Sequence, residues 1–305
     1  MKTFDAQAAL GFVISQTAHV EQQVYQVKYA DIQYPLLIPV DTSANPFVKT
    51  VTYFSANKAG VADWLNGNAD DVPMADTEHS QFETSVYTAG IGYGYGWEEI
   101  NQAQMLGLNL ANDKAMAARR AAEEMIDRVA LQGDTVKGFS GLFDYPTVTA
   151  TPATNGNWPA ATPDNIIEDV NDALTNIQTA TNNVILADTL LVPFARWNLL
   201  ASTRLTDTNT TVMQFIRQNN VYTAQTGAPL VIRATRQLDT AGVSGAARMV
   251  AYRRDPEVLK LHIPMPHRFL PVWQSGPLRY EVPGVMRFGG LDIRLPNEVS
   301  YVDGI

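Results

Sequence analysis

Residues 90–100 read GIGYGYGWEEI, a run in which glycine recurs at 90, 92, 94 and 96 and which ends on two glutamates at the head of a helical pattern. A dinucleotide loop needs the spacing G-x-G-x-x-G, and a Walker loop needs a lysine followed by a hydroxyl residue. Neither is present. Glu98 and Glu99 also stand where a phosphate would meet the helix N-terminus; there they suit the helix dipole and repel an anion. The period of two instead describes a strand with Ile91, Tyr93, Tyr95 and Trp97 on one face and a bare glycine face that admits another backbone. We read this stretch as the last strand of an extended arm, whose glycines allow close backbone packing and which enters the helix through Glu98 and Glu99, a hinge between arm and body.

Downstream, residues 98–132 contain no helix breaker but Gly107. Ile100, Ala103, Leu110, Ala111, Ala118, Ala122, Met125 and Val129 recur at helical steps. A helix of that length would run about 50 Å, a spine longer than most globular helices. Arg119, Arg120, Glu123, Glu124 and Arg128 form i,i+4 pairs suited to a solvated face, and Gly133 supplies the C-cap. Upstream, FVKTVTYF (47–54) and QFETSVYTAGIGYGY (81–95) read as strands, separated by a polar, acidic tip too long for a tight turn. Before them, residues 5–28 read as a helix, and YADIQYPLLIPV (29–40), with its two prolines, as an extended strap.

Beyond the spine, TVTATPATNGNWPAATP (147–163) reads as a linker between two lobes. Thr162 and Pro163 then start a helix with Ile166, Ile167, Val170, Leu174 and Ile177 on one face. Strands TLLVP, APLVIRA and ARMVAYR alternate with helices near Phe194 and over TVMQFIRQ, giving a mixed lobe. From Leu261 onward, short strands punctuated by proline and glycine need an earlier element to cover them, for which the spine helix is the natural candidate.

Composition narrows the functional classes. The 305 residues are 46% hydrophobic and 17% charged, enough for a large core. No stretch is apolar for the roughly 18 residues a membrane span needs, and Asp5 interrupts any signal peptide, so a soluble, non-secreted protein is expected. The absence of cysteine excludes disulfides, thiolate zinc sites and thiol catalysis. A formal charge of -9 argues against binding nucleic acid by bulk electrostatics.

The remaining chemical candidates are weak. His262 and His267 flank IPMP at a spacing that does not place both on one helix face, and His19 and His79 are isolated. Asp70, Asp71 and Asp76 depart from the calcium-loop ligand order, and no G-x-S-x-G elbow is present. Neither a catalytic residue, a cofactor site nor a metal site is expected.

The order of parts resembles the Hong Kong 97-like major capsid proteins of tailed bacteriophages. Several pieces resemble the branch that is also similar to encapsulin shells: DIQYPLLIPVDTSANPF, NGNADDVPMAD, AGIGYGYGWEEI, AARRAAEEMIDRVALQGD and the closing VSYVDGI. The resemblance spans essentially the whole chain. It implies an α+β capsid fold with an N-terminal arm (1–45), an extended E-loop (46–96), a peripheral domain with the spine helix (97–154 and 259–305) and an axial domain (155–258).

It further implies a non-enzymatic subunit that forms hexamers and pentamers of an icosahedral shell around double-stranded DNA, in a virion assembled in the host cytoplasm. Portal, scaffolding and decoration proteins are the implied partners, with no membrane. A nanocompartment shell holding a cargo enzyme is the alternative on the same fold; a nucleotide-dependent enzyme is the remote one. No long charged scaffold precedes Phe4, so scaffolding is expected from a separate protein or the form is mature. No motif assigns Lys49, Lys58 or Asn66 to the covalent cross-link of the family's namesake. By residue type and place, Trp64, Gly92, Gly94, Glu98, Glu99, Arg119 and Arg120 are the expected assembly residues.

Overall fold

The first described element is a helical turn rather than the extended strap its prolines suggest. In the computed structural model, which describes residues 31–59, 74–106 and 110–305, α1 spans Tyr34–Leu37 with Pro35 in its first turn. Proline fits there because the N–H it lacks would have no helical partner. The turn is fastened from outside. Asp127 Oδ1 accepts from the backbone N–H groups of Gln33 and Tyr34, each at 2.8 Å, and the Tyr34 hydroxyl donates to Glu123 at 2.7 Å. Burial raises the Asp127 pKa above the usual carboxylate value against the pull of those two N–H groups. The helix expected over 5–28, the tip with Asp70 and Asp71, Trp64 and the Gly107 junction lie outside the described residues.

After β1 (Val40–Asp41), β2 (Thr50–Ala59) and β3 (Asp76–Ser85) pair antiparallel from Thr50 opposite Ser85 to Ala59 opposite Asp76. Residues 55–59 and 76–80, read from sequence as an irregular tip, are thus strand. The polar sequence there offers no apolar alternation to find, and cross-strand backbone bonds set the register. The chain then forms β4 (Tyr87–Ala89), β5 (Tyr93–Gly96), α2 (Trp97–Leu106) and α3 (Leu110–Gln132). In α3 the core face is Ala118, Ala122, Ile126, Val129 and Ala130. Met125, expected on that face, is 37% exposed, because from Ala122 it is the four-residue step to Ile126 that continues the buried row. Gly133 caps α3 at φ +82°, its N–H bonded to Val129 O at 2.9 Å.

There follow β6 (Ala150–Pro152), α4 (Pro163–Ala180), β7 (Thr189–Pro193), α5 (Phe194–Ser202), α6 (Val212–Gln218), α7 (Val221–Thr226), β8 (Val231–Thr235) and β9 (Arg248–Tyr252). The remaining strands are β10 (Leu259–His262), β11 (Met265–Phe269), β12 (Trp273–Gly276), β13 (Arg279–Val282), β14 (Gly284–Phe288), β15 (Gly290–Ile293) and β16 (Val299–Asp303).

The central sheet has the order β6-β16-β9-β7-β8. Its strands read as continuous apolar runs because both faces are covered. Leu191, Val250, Tyr252 and Tyr301 join a cluster with α1, α3 and β10, whereas Leu190, Val192, Met249, Ala251 and Val302 join one with α4 to α6. Residues Ile32–Ile305 accordingly make one compact unit. The closing strand β16 hydrogen-bonds to β9, antiparallel, and to β6, parallel, while the apolar residues of β10, β14, β15 and β16 join one cluster with Ala122, Ile126 and Val129 of the spine helix, the cover expected of it.

The segment read as a linker is also built in. β6 belongs to the central sheet, and Trp158 is 1% exposed. The fastening is Asp169, buried on α4, which accepts from Asn155 N at 2.8 Å, Gly156 N at 3.1 Å and Trp158 Nε1 at 2.9 Å. Asp169→Ala would orphan those donors and is expected to destabilise the subunit by about 3 kcal/mol. Chemical denaturation of unassembled protein, followed by tryptophan fluorescence, measures the change.

Candidate intersubunit surface

The glycine run is a strand closed on one side by this chain itself. β5 pairs antiparallel with β13, with Tyr95 opposite Tyr280 and Tyr93 opposite Val282. A Cβ on Gly90 would stand 2.5 Å from Gly284 O, and one on Gly92 would collide with Val282 O and lie 2.9 Å from Pro283 Cα. The close approach permitted by the bare face is therefore made, at Gly90 and Gly92, by the chain's own 282–284 backbone. His267 Nε2, 3.1 Å from Ile91 O, clips the same turn. His262 lies elsewhere, buried between Asp41 and Asp292 at 3.7 and 3.8 Å. Among the described residues, no group of three or more His, Asp or Glu is placed to hold a metal ion, and no helix is long and apolar enough to cross a membrane.

Glu98 is exposed in the first turn of α2. Glu99 pairs at 2.5 Å with Lys114 of α3, and that hydrogen bond holds its carboxyl below the usual range. Lys114 Nζ also donates to Gly94 O at 2.8 Å and lies 5.2 Å from the Tyr95 ring centroid. Burial pushes the Tyr95 hydroxyl up to about 12, so it remains protonated. Lys114 thereby ties together the glycine strand, the start of α2 and α3. Sequence reasoning missed it because its three contacts are 15 to 20 positions away and no local period marks it. Arg120 pairs with Glu124 at 2.8 Å as the spacing predicts. Glu123, expected to pair with Arg119, accepts from Tyr34 instead, and Arg119 is exposed.

The β2–β3 ribbon presents Phe54 at 71% and Phe82 at 48% exposure, with Phe82 stacked on Tyr53 at 5.1 Å. Arg294 lies 4.8 Å from the Tyr53 ring centroid at the ribbon's foot. The acidic side chains Asp76 and Glu83 are exposed on it, and Arg119 and Arg128 are exposed on α3. A second exposed apolar group, Trp97, Val272, Trp273 and Leu278, gathers where β5, β12 and β13 meet.

The profile of the family described as "Major capsid protein" matches residues 60–305. No curated protein sequence matches the chain at a significant level. Among solved structures, the capsid of Myoviridae phage XM1 aligns with TM-score 0.81 at 19% identity, covering 95% of this chain and 98% of that one. The capsid of a native GTA particle aligns with TM-score 0.68 at 10% identity, covering 99% of each chain. Mycobacterium phage Bobi gives 0.64 at 15% identity over 98% of each. At these identities the likeness establishes the fold, the α+β fold of Hong Kong 97-like phage capsid subunits.

Proposed function

The chain belongs to the major capsid protein family, and from that premise we propose that it builds an icosahedral bacteriophage head from hexamers and pentamers around double-stranded DNA. The observation that carries this reading is the β2–β3 ribbon. Two strands of ten residues each extend outside the core with Phe54 and Phe82 in solvent. A lone two-stranded ribbon is marginally stable in water, so it gains by lying against a neighbour. Its exposed carboxylates suit the exposed arginines on the α3 of an adjacent copy. In this reading residues 1–45 are the N-terminal arm, 46–96 the E-loop, 97–154 and 259–305 the peripheral domain, and 155–258 the axial domain.

The role is structural, with no catalytic step of its own. Virion assembly takes place in the host cytoplasm with portal, scaffolding and decoration proteins as further partners, and the acidic balance contains DNA without gripping it. Electron microscopy of natively purified protein is expected to show closed shells with pentameric and hexameric capsomers. A monomer at every concentration would sink the proposal. Nuclease-protected DNA in shells made during infection is the expected content; a co-purifying enzyme in its place would indicate a nanocompartment.

A further inference from the structure

Three short strands build a charged face at the foot of the β2–β3 ribbon. β1 lies parallel to β10 with Asp41 opposite His262, and β15 lies antiparallel to β10 with Asp292 opposite Lys260. Residues opposite one another, or two apart on one strand, share a face. Asp41, Lys260, His262 and Asp292 therefore point one way, while Leu259, Leu261, Leu291 and Ile293 join the cluster with α3 on the other. Arg294 continues the charged row: its Nε lies 4.0 Å from Asp292 Oδ2, and its guanidinium 4.8 Å from the Tyr53 ring centroid of the ribbon. His262 packs against the same foot, since a Cβ on Gly289 would stand 3.1 Å from His262 Cβ and 3.3 Å from Val86 Cγ2. Val86 closes the ribbon by donating its N–H to Lys49 O at 2.8 Å.

His262 is 1% exposed, yet neither of its ring nitrogens has a hydrogen-bond partner among the described residues, and neither have Asp292 Oδ2 and Arg294 Nε. The ring stands between two carboxylates, with Nδ1 3.7 Å from Asp41 Oδ2 and Nε2 3.8 Å from Asp292 Oδ2. A neutral imidazole has one N–H, so one nitrogen turns a lone pair towards a carboxylate; the imidazolium offers an N–H to both. The surroundings are charge-balanced without that proton. Asp41, its carboxyl held below the usual range by the Ser43 hydroxyl, and Asp292 face two cations, Lys260 at 3.9 Å from Asp41 and Arg294. Tyr53, pushed up to about 12 by burial, and Tyr145, also raised by burial, stay neutral. A proton on His262 is the one charge without a counterpart.

We propose that His262 is a proton-operated latch on the ribbon: its protonation takes Asp292 from Arg294 and loosens the hold on Tyr53. Asp292 Oδ2 is shared, 3.8 Å from His262 and 4.0 Å from Arg294. An imidazolium buried beside that carboxylate attracts it through a medium of low dielectric, and the same charge repels Arg294. Arg294 has a way out, because its side chain is 24% exposed against 2% for His262. As it swings into solvent, Tyr53 loses the cation over its ring. Lowering the pH through the range in which histidine changes charge frees the ribbon, and raising it fastens the ribbon again. The latch is a property of the single subunit and goes beyond the capsid reading without resting on it.

The test uses the unassembled full chain. Amide hydrogen exchange of β2 and β3, corrected for the intrinsic effect of pH, is followed from about pH 8 to about pH 5.5, and the histidine rings are followed by NMR. Ribbon protection in the parent is expected to fall about threefold, the scale of one lost cation–π contact, with a midpoint that matches the His262 ring. His262→Gln should keep the slow exchange of high pH throughout. Arg294→Met should show the fast exchange throughout while its His262 still titrates. His79→Gln removes an exposed histidine of the ribbon itself and should leave the parent's response unchanged. Should His262→Gln fail to fold, the parent's midpoint and Arg294→Met decide. A His262 ring that does not titrate, parent exchange that ignores pH, a response retained in Arg294→Met, or one lost in His79→Gln overturns the latch. Each of these outcomes leaves the capsid reading to its own test by electron microscopy.

Discussion

Arg248→Met is expected to lower subunit stability by about 3–5 kcal/mol, the loss typical when one partner of a buried ion pair is removed. Arg248 sits on β9 with its side chain 4% exposed, and it binds Asp303 of β16 through two contacts, Nε to Oδ1 at 2.6 Å and Nη2 to Oδ2 at 2.9 Å. Its Nη1 donates to Phe143 O at 2.6 Å, and its guanidinium lies 4.7 Å from the Tyr301 ring centroid. One side chain thus joins two neighbouring strands to the segment that follows α3. Removing it leaves a nearly buried Asp303 carboxylate and a carbonyl without their donor. At the roughly 2–4 °C per kcal/mol typical of chains of about 150–250 residues, the melting temperature should fall by about 6–20 °C.

The same pair gives a pH dependence whose sign can be worked out. Burial raises the Asp303 pKa, but the Arg248 hydrogen bonds and the Val243 N–H outweigh it, so the net shift is downward. A carboxyl whose folded pKa is depressed adds stability above its unfolded value, near 3.9, and loses it as pH falls through the folded value. Parent protein should therefore lose this contribution below about pH 4, whereas Arg248→Met should show a flatter acid limb. Melting curves between pH 3 and 7 check it, and parallel curves for parent and variant would refute the assignment.

Gly92→Val is expected to prevent both the native β5–β13 sheet and shell formation. The added Cβ would meet Val282 O and Pro283 Cα, which are backbone atoms with no rotamer to adopt. Relief requires moving β13, and with it the ladder from Tyr93–Val282 to Gly96–Arg279. Gly94→Val should be milder, because its nearest obstacle is Tyr280 O at 3.1 Å and the next is the Glu281 side chain. Near-ultraviolet circular dichroism reports the tyrosine-rich strand, and electron microscopy the shells. Native spectra with normal particles from Gly92→Val would contradict the packing described here. Gly96, where a Cβ would meet nothing within 4 Å, carries no such constraint within the subunit.

Much of the architecture was legible in residues 90–132, because strand and helix differ in period and that stretch switches from two to about 3.6 at Trp97. The α4 helix was legible for a similar reason, with Thr162 accepting from Asn165 N and Ile166, Val170, Leu174 and Ile177 buried. Other features were not. The outer ribbon residues 55–59 and 76–80 carry no apolar alternation, so nothing in the sequence marked them as strand. The stretch around Trp158 looked like a linker because its anchor, Asp169, is a lone acid on an otherwise ordinary helix.

What the sequence determined by itself was local and periodic: the glycine strand ending at a helix, the buried face of α4, that of α3 apart from the exchange of Met125 for Ile126, and the absence of any thiol chemistry. What only the tertiary structure decided was partnership across long separations. It set β16 beside β9, Arg248 on Asp303, and Lys114 between Gly94 and Glu99. It also divided the glycines into those covered by the chain's own backbone and one left open. The physical reason is that side-chain period is written along the chain, whereas hydrogen-bond and ion-pair partners are chosen by packing among elements that the sequence keeps far apart.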